Sequence, residues 1–252
     1  MSTRPALPSS DSCASWRVRT GSLISRLLRG VSGAYGRAGA LCNAALITFV
    51  TVGSVTAQEA EGITVAALGD SLTQGYGLPP EDGFVPQLEA WLQGQGAAVE
   101  VLNAGVSGDT TAGGLSRIGW TLTPDVDAVI VALGGNDLLR GIDPAASRAN
   151  LDGILSTATE QGLPVLLVGM EAPGNYGPDY KQAFDAMYPE LAEQYDTLYA
   201  DSFFEGFDLE ETDISAAQAY MQADGIHPNA EGVALIVQAL GPQVLDLVER
   251  VE

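Results

Sequence analysis

From Gly62 onward, short apolar runs alternate with longer stretches in which apolar residues recur at helical spacing. Residues 63–68 read as a buried strand that stops at Gly69-Asp70-Ser71-Leu72. Phe84, Val85, Leu88, Trp91 and Leu92 then fall on one face of a helix, which Gly94 and Gly96 close. Residues 99–102 predict a second strand, and residues 110–122 a helix weakened by Gly113 and Gly114. A third strand over 128–133 is almost wholly apolar, as suits a parallel strand covered on both faces. Pro144 opens a helix that runs to about Gln161, its missing N–H costing nothing in the first turn. Residues 164–170 predict a fourth strand, 180–195 a helix interrupted near Pro189, and 198–200 a short fifth strand. Helical segments over 215–222 and from Asn229 to about Val251 finish the chain, with Gly241-Pro242 expected to kink or split the last. Five strand signals separated by helices imply an α/β domain, a three-layer α/β/α sandwich on a five-stranded, parallel, doubly wound sheet. Ser71 then stands at the carboxyl end of the first strand, the edge at which such sheets bind ligands.

Charge divides the chain in two. Six of the 11 basic residues precede position 58, together with only one of the 32 acids, Asp11. From Gln58 on, 31 acids face five bases, a formal charge of −26 that argues against nucleic acid and anionic membranes as partners. An acidic surface of this kind otherwise serves solubility or adaptation to salt. The basic beginning leads into an apolar stretch over 44–55, and Val55-Thr56-Ala57 supplies small residues at the −3 and −1 positions of a signal-peptidase site. Residues 1–57 are therefore expected to be a removed signal peptide, and 58–252 a single exported domain, periplasmic or secreted. The apolar stretch is shorter than the roughly 20 residues that span a bilayer, so a retained transmembrane anchor is the weaker alternative, and no stable membrane insertion is expected after cleavage. Both cysteines, Cys13 and Cys42, lie in the removed part, which leaves no thiol for a disulfide or a cysteine-based metal site.

Chemistry enters through the loops that follow the strands. His227, the only histidine, sits in Asp224-Gly225-Ile226-His227-Pro228. A lone histidine is usually a surface or satisfied core residue, but an aspartate three residues earlier can reach its Nδ1 in a tight turn and stabilise the imidazolium. Pro228 and a capping Asn229 would hold the position. Ser71 is the best candidate for a hydroxyl activated by that histidine, although Gly-Asp-Ser taken alone serves equally well as a helix cap. The nucleophile elbow Gly-x-Ser-x-Gly of the α/β-hydrolases is not present at Ser71. Acyl transfer also needs donors for a developing oxyanion. Gly108 in the loop after the second strand offers a backbone N–H unobstructed by a side chain, and Asn136 after the third strand offers an amide. Each of these loops is also a good turn sequence.

Together these residues resemble the SGNH, or GDSL, hydrolase family, whose marker residues are Ser, Gly, Asn and His in separate blocks. Ser71 stands in Gly-Asp-Ser-Leu, Gly108 in Ser-Gly-Asp-Thr-Thr, Asn136 in Gly-Gly-Asn-Asp and His227 in Asp-Gly-Ile-His-Pro, in that order. Residues 133–141, Asn175-Tyr176-Gly177 and Tyr188-Pro189 are similar to the bacterial arylesterase and multifunctional thioesterase I/lysophospholipase L1 branch. The resemblance spans about 63–248 and implies a flavodoxin-like SGNH hydrolase fold. It implies that Ser71 attacks an ester carbonyl, His227 takes its proton and Asp224 orients His227. The oxyanion hole would be formed by the Ser71 and Gly108 N–H groups and the Asn136 amide. Asp70 would brace neighbouring loops. Leu138, in a loop over 137–142, and Pro173 and Tyr176, in the stretch 171–177, would line the substrate site. No cofactor, metal or protein partner is implied. The expected function is hydrolysis of short- to medium-chain acyl or aryl esters, with thioesters and lysophospholipids as further substrates. A carbohydrate O-deacetylase is the alternative within the family. A non-catalytic flavodoxin-like binding module is the alternative outside it, but the phosphate-loop and dinucleotide fingerprints such a module would carry are absent after the strands.

Overall fold

The computed structural model describes residues 62–207 and 218–251. The expected signal peptide, its cleavage site and both cysteines lie outside the described residues, as do residues 215–217 of the helix expected over 215–222, of whose described part only residues 218 and 219 are helical. Five strands form one sheet: β1 (Ile63–Gly69), β2 (Val99–Gly105), β3 (Ala128–Ala132), β4 (Val165–Val168) and β5 (Leu198–Ala200). Their order is β2-β1-β3-β4-β5 and every pairing is parallel. β1 is flanked on both sides, and its last residue, Gly69, is level with Gly105 of β2 and Ala132 of β3. Three strand ends therefore open at one height, with Ser71 just beyond the middle one.

Helices cover the sheet in two groups. α2 (Phe84–Gly94) packs with the last helix, α7 (Ala230–Glu249), while α3 (Thr111–Thr121), α5 (Pro144–Glu160) and α6 (Pro178–Tyr195) pack side by side. Right-handed crossovers of opposite direction, from β1 out to β2 and from β2 back past β1 to β3, put α2 and α3 on opposite faces. The core is what the apolar runs predict: Val65–Leu68 of β1 and all of β3 are buried, facing Phe84, Leu88, Ile154, Phe184 and Ile236 from the helices. α7 is long and apolar enough to cross a membrane, but half of its apolar window is buried inside the fold. It is a core helix.

Two expectations about helix ends are corrected. α6 continues through Pro189 and α7 through Gly241-Pro242. A proline inside a helix removes one hydrogen bond and crowds the preceding turn, but both prolines face solvent while their neighbours are buried. Met187, Tyr188 and Leu191 anchor α6, and Leu240, Val244 and Leu247 anchor α7. Gly241 has a packing reason instead: a Cβ there would lie 2.6 Å from the Trp91 ring. Gly114 likewise does not weaken α3 but lets it settle onto Leu133. Two short helices had no signature in the apolar pattern, α1 (Ser71–Gln74) and α4 (Gly135–Leu139).

Candidate active site

The strand β1 delivers the chain into α1, and Asp70 caps that helix by accepting from the Leu72 N–H at 3.0 Å. Gly69 is required here: any side chain on it would collide with Thr73 on α1. The turn is therefore tight, and it points Ser71 Oγ at His227 Nε2, 2.9 Å away. His227 Nδ1 lies 2.7 Å from Asp224 Oδ2. The other Asp224 oxygen accepts from the Ile226 and His227 N–H groups at 2.9 and 3.0 Å, closing the local turn that carries the histidine. With Nδ1–H donating to Asp224, Nε2 is left to accept the Ser71 hydroxyl proton. The His227 side chain and the backbone N–H groups of His227 and Ile226 hold the Asp224 carboxyl at about 2, down from the ordinary 3.8, so it is ionised at any physiological pH.

Gly108 and Asn136 flank Ser71 from the two neighbouring strands. Gly108 has a positive φ of 79°, which suits glycine, and its carbonyl accepts from Arg140 Nη2 at 2.7 Å. Asn136 lies on α4 directly after β3, and its Nδ2 donates to Asp70 Oδ2 at 3.1 Å. An amide nitrogen carries two hydrogens, so one remains for another acceptor. Asp70 itself is 2% exposed, and burial raises its pKa, opposed by the bonds from Leu72 and Asn136. The next residue, Asp137, is fully buried and accepts from the Thr111 N–H, the Thr111 hydroxyl and the Ser147 hydroxyl. Gly-Gly-Asn-Asp thus works as a unit: Gly134, at φ 125°, leaves space for the Tyr188 hydroxyl, which donates to the Leu133 carbonyl. Asp137 pins α4 to α3 and α5, and Asn136 is left facing the nucleophile turn.

The residues expected to line the substrate site are placed differently from one another. Tyr176 is 45% exposed, and its ring packs on Gly141 in the neighbouring loop and on Tyr180. Pro173 is exposed, whereas Leu138 packs against the core and its neighbour Leu139 is the exposed one. Sequence reasoning missed three residues. The Tyr76 ring sits 4.7 Å from that of His227. Gln222 donates to the carbonyls of Tyr76 and Pro228, and its N–H donates to the His227 carbonyl. Arg117, on α3, binds the ends of β1 and β2. The only signal for it in the sequence was rarity, as one of five bases in an acidic domain.

A serine, a histidine and an aspartate in relay, flanked by loops from both neighbouring strands, match what the motifs imply. The model of the GDSL-like lipase/acylhydrolase family matches residues 67–235. The chain belongs to this family. It is 38% identical over 191 residues to Esterase TesA of Pseudomonas aeruginosa, which covers 75% of this chain and 92% of that protein. It is 33% identical over 205 residues to thioesterase 1/protease 1/lysophospholipase L1 of Escherichia coli K12, covering 81% of this chain and 94% of the other. Among solved structures, AlinE4, an SGNH-hydrolase family esterase, aligns with a TM-score of 0.60 at 43% identity, over 74% of this chain and 96% of that one. The likeness read from four motifs is borne out, and this GDSL-family chain is a carboxylic ester hydrolase with the SGNH fold.

Proposed function

We propose that this ester hydrolase works through an acyl-enzyme on Ser71 and that its substrates are short- to medium-chain acyl or aryl esters carrying no net negative charge. The observation that carries the first part is the relay from Ser71 Oγ through His227 to Asp224, at 2.9 and 2.7 Å. Ser71 Oγ bonds to the ester carbonyl carbon while its proton passes to His227 Nε2, and the carbonyl electron pair moves to oxygen. That oxyanion is met by the Ser71 and Gly108 N–H groups and by the Asn136 hydrogen not used by Asp70. The imidazolium, steadied by the Asp224 carboxylate, then returns the proton to the departing alkoxide or phenoxide. Water, activated by the same histidine, attacks the acyl-enzyme and releases the acid.

The substrate class rests on what surrounds Ser71. Among the described residues, five of the six exposed large apolar side chains are Tyr76, Val106, Leu139, Tyr176 and Ile226. The first four stand on the connections that follow β1, β2, β3 and β4, Leu139 at the end of α4, and Ile226 adjoins His227. Apolar side chains gathered at a catalytic edge favour an apolar acyl or aryl group, and the −26 charge disfavours polyanionic substrates. Export, with cleavage before Gln58, belongs to the same reading and rests on the charge split and Val55-Thr56-Ala57.

A panel of p-nitrophenyl esters from acetate to decanoate, set beside an acetylated xylan and assayed on protein beginning at Gln58, tests it. The expected result is turnover of the aryl esters with a maximum at short or medium chains. Turnover of the glycan alone contradicts the substrate class.

A further inference from the structure

Arg117 spends every nitrogen of its guanidinium on a different segment. Nε donates to Asp109 Oδ2 at 2.7 Å, Nη1 to the Ala104 carbonyl at 2.7 Å and Nη2 to the Gly69 carbonyl at 2.8 Å. Gly69 is the last residue of β1 and lies two positions before Ser71. Ala104 is the penultimate residue of β2, and Asp109 follows Gly108. The carbonyl of Gly69 accepts a second bond, from the Val106 N–H at 3.0 Å. Two glycines make room for this arrangement. A side chain on Gly105 would strike the backbone of Gln74 on α1, and one on Gly113 would strike the Asp109 carboxylate. The end of β2 is thus pressed against the nucleophile turn, and the carboxylate beside Gly108 is pressed against α3.

We propose that Arg117 is a positioning residue for the reaction, setting the Gly108 N–H against the Ser71 N–H so that both donors meet one oxyanion. The inference rests on the acyl-enzyme reading given above. Between Gly105 and Thr111 the chain leaves the sheet ladder. Val106 and Ser107 tie the start of the loop to Gly69 and Gln74, and Arg140 holds the Gly108 carbonyl. None of these bonds fixes the Asp109 side of Gly108 against both strand ends or gives its N–H a reason to be held to a fraction of an ångström. A planar fork reaching three fixed acceptors supplies that reason, because it ties the loop to both strand ends at once. Lysine cannot replace it: a single ammonium on a flexible stem has no fork geometry with which to reach two carbonyls and a carboxylate together. The Asp109 and Arg117 side chains are 13% and 21% exposed, so their pairing is only partly screened by water.

A residue that merely supported the fold would lower stability and leave the folded fraction fully active. A positioning residue lowers kcat on folded protein and weakens transition-state analogues equally. The test compares wild type with Arg117→Lys, Arg117→Ala and Asp109→Asn for kcat, KM, melting temperature and affinity for an aryl trifluoromethyl ketone, whose adduct places an oxyanion in the hole. Wild type is first labelled with a fluorophosphonate and the adduct mapped. The expected result for Arg117→Lys is a kcat about 100-fold lower, the scale of losing one oxyanion donor. KM changes less than threefold and analogue affinity falls in proportion to kcat. Asp109→Asn loses about tenfold in the same pattern, and millimolar guanidinium restores kcat to Arg117→Ala. Should Arg117→Ala not fold, the other two variants decide.

A kcat within threefold of wild type in Arg117→Lys overturns the proposal, as does a loss of kcat with analogue affinity unchanged. If wild type is not labelled at Ser71, the acyl-enzyme reading falls and this inference with it. If Ser71 is labelled and Arg117→Lys keeps its kcat, only the positioning role falls.

Discussion

The two halves of the relay are built on different foundations. Ser71 opens α1 just beyond β1, a strand with neighbours on both sides, and the carboxylate before it, Asp70, is 2% exposed. The other half belongs to a surface turn, where the Asp224 side chain is 38% exposed. It is tied to the nucleophile side through Gln222, which bridges Tyr76 and Pro228, and through the 2.9 Å contact itself. The nucleophile side owes its geometry to the core and the base side to a few hydrogen bonds. The first should tolerate little change in the groups packed against it, whereas the second should be tunable by single surface substitutions that leave the fold intact.

The sharpest way to break the base side is Asp224→Asn. The amide keeps the shape but removes the charge that holds His227 in the tautomer with Nε2 unprotonated. The expected loss in kcat is about 10³–10⁴-fold with KM nearly unchanged, measured in steady-state kinetics. On the nucleophile side, Asn136→Ala should cost about 10²–10³-fold in kcat, because the proposed oxyanion hole loses one donor. It also leaves Asp70 buried with one acceptor unmet, so the melting temperature should fall as well. That combined loss distinguishes a residue seated on the core from one on the surface turn. Gln222→Ala should be milder, about tenfold in kcat, equal to roughly 1.4 kcal/mol of misalignment, with little change in melting temperature.

The smallest expected effect is on acid stability. Asp224 has a lower pKa in the folded chain than when unfolded, so the stability it contributes is fully present above pH 3.8. It is lost as pH falls through about 2. The contribution is small because the group is open to water. Thermal melts of wild type and Asp224→Asn should differ by a constant amount above pH 4, and the difference should shrink toward pH 2.

Much of this was legible in the chain. The five strands followed from apolar runs of strand length, and the relay followed from one histidine, a nearby aspartate and four motifs in order. What was not legible had physical causes. α1 and α4 are too short for a period to show. Pro189 and Pro242 read as breaks, yet the buried neighbours of each carry the helix across the lost bond. Leu138 and Leu139 look alike in sequence, and only the packing of α4 shows which one faces solvent. Arg117 and Gln222 escaped because their partners are remote: 48 residues separate Arg117 from Gly69, and 146 separate Gln222 from Tyr76. A polar side chain whose role is to bridge distant loops leaves no local pattern.

The central claim is that Ser71 is the nucleophile and that His227 activates it. Its most direct test is mapping a fluorophosphonate adduct by mass spectrometry on wild type, Ser71→Ala and His227→Ala. Wild type should carry one phosphonyl group on Ser71, Ser71→Ala none, and His227→Ala should label more slowly by orders of magnitude. An adduct on another residue, equal labelling of Ser71→Ala, or an undiminished rate in His227→Ala would contradict the account.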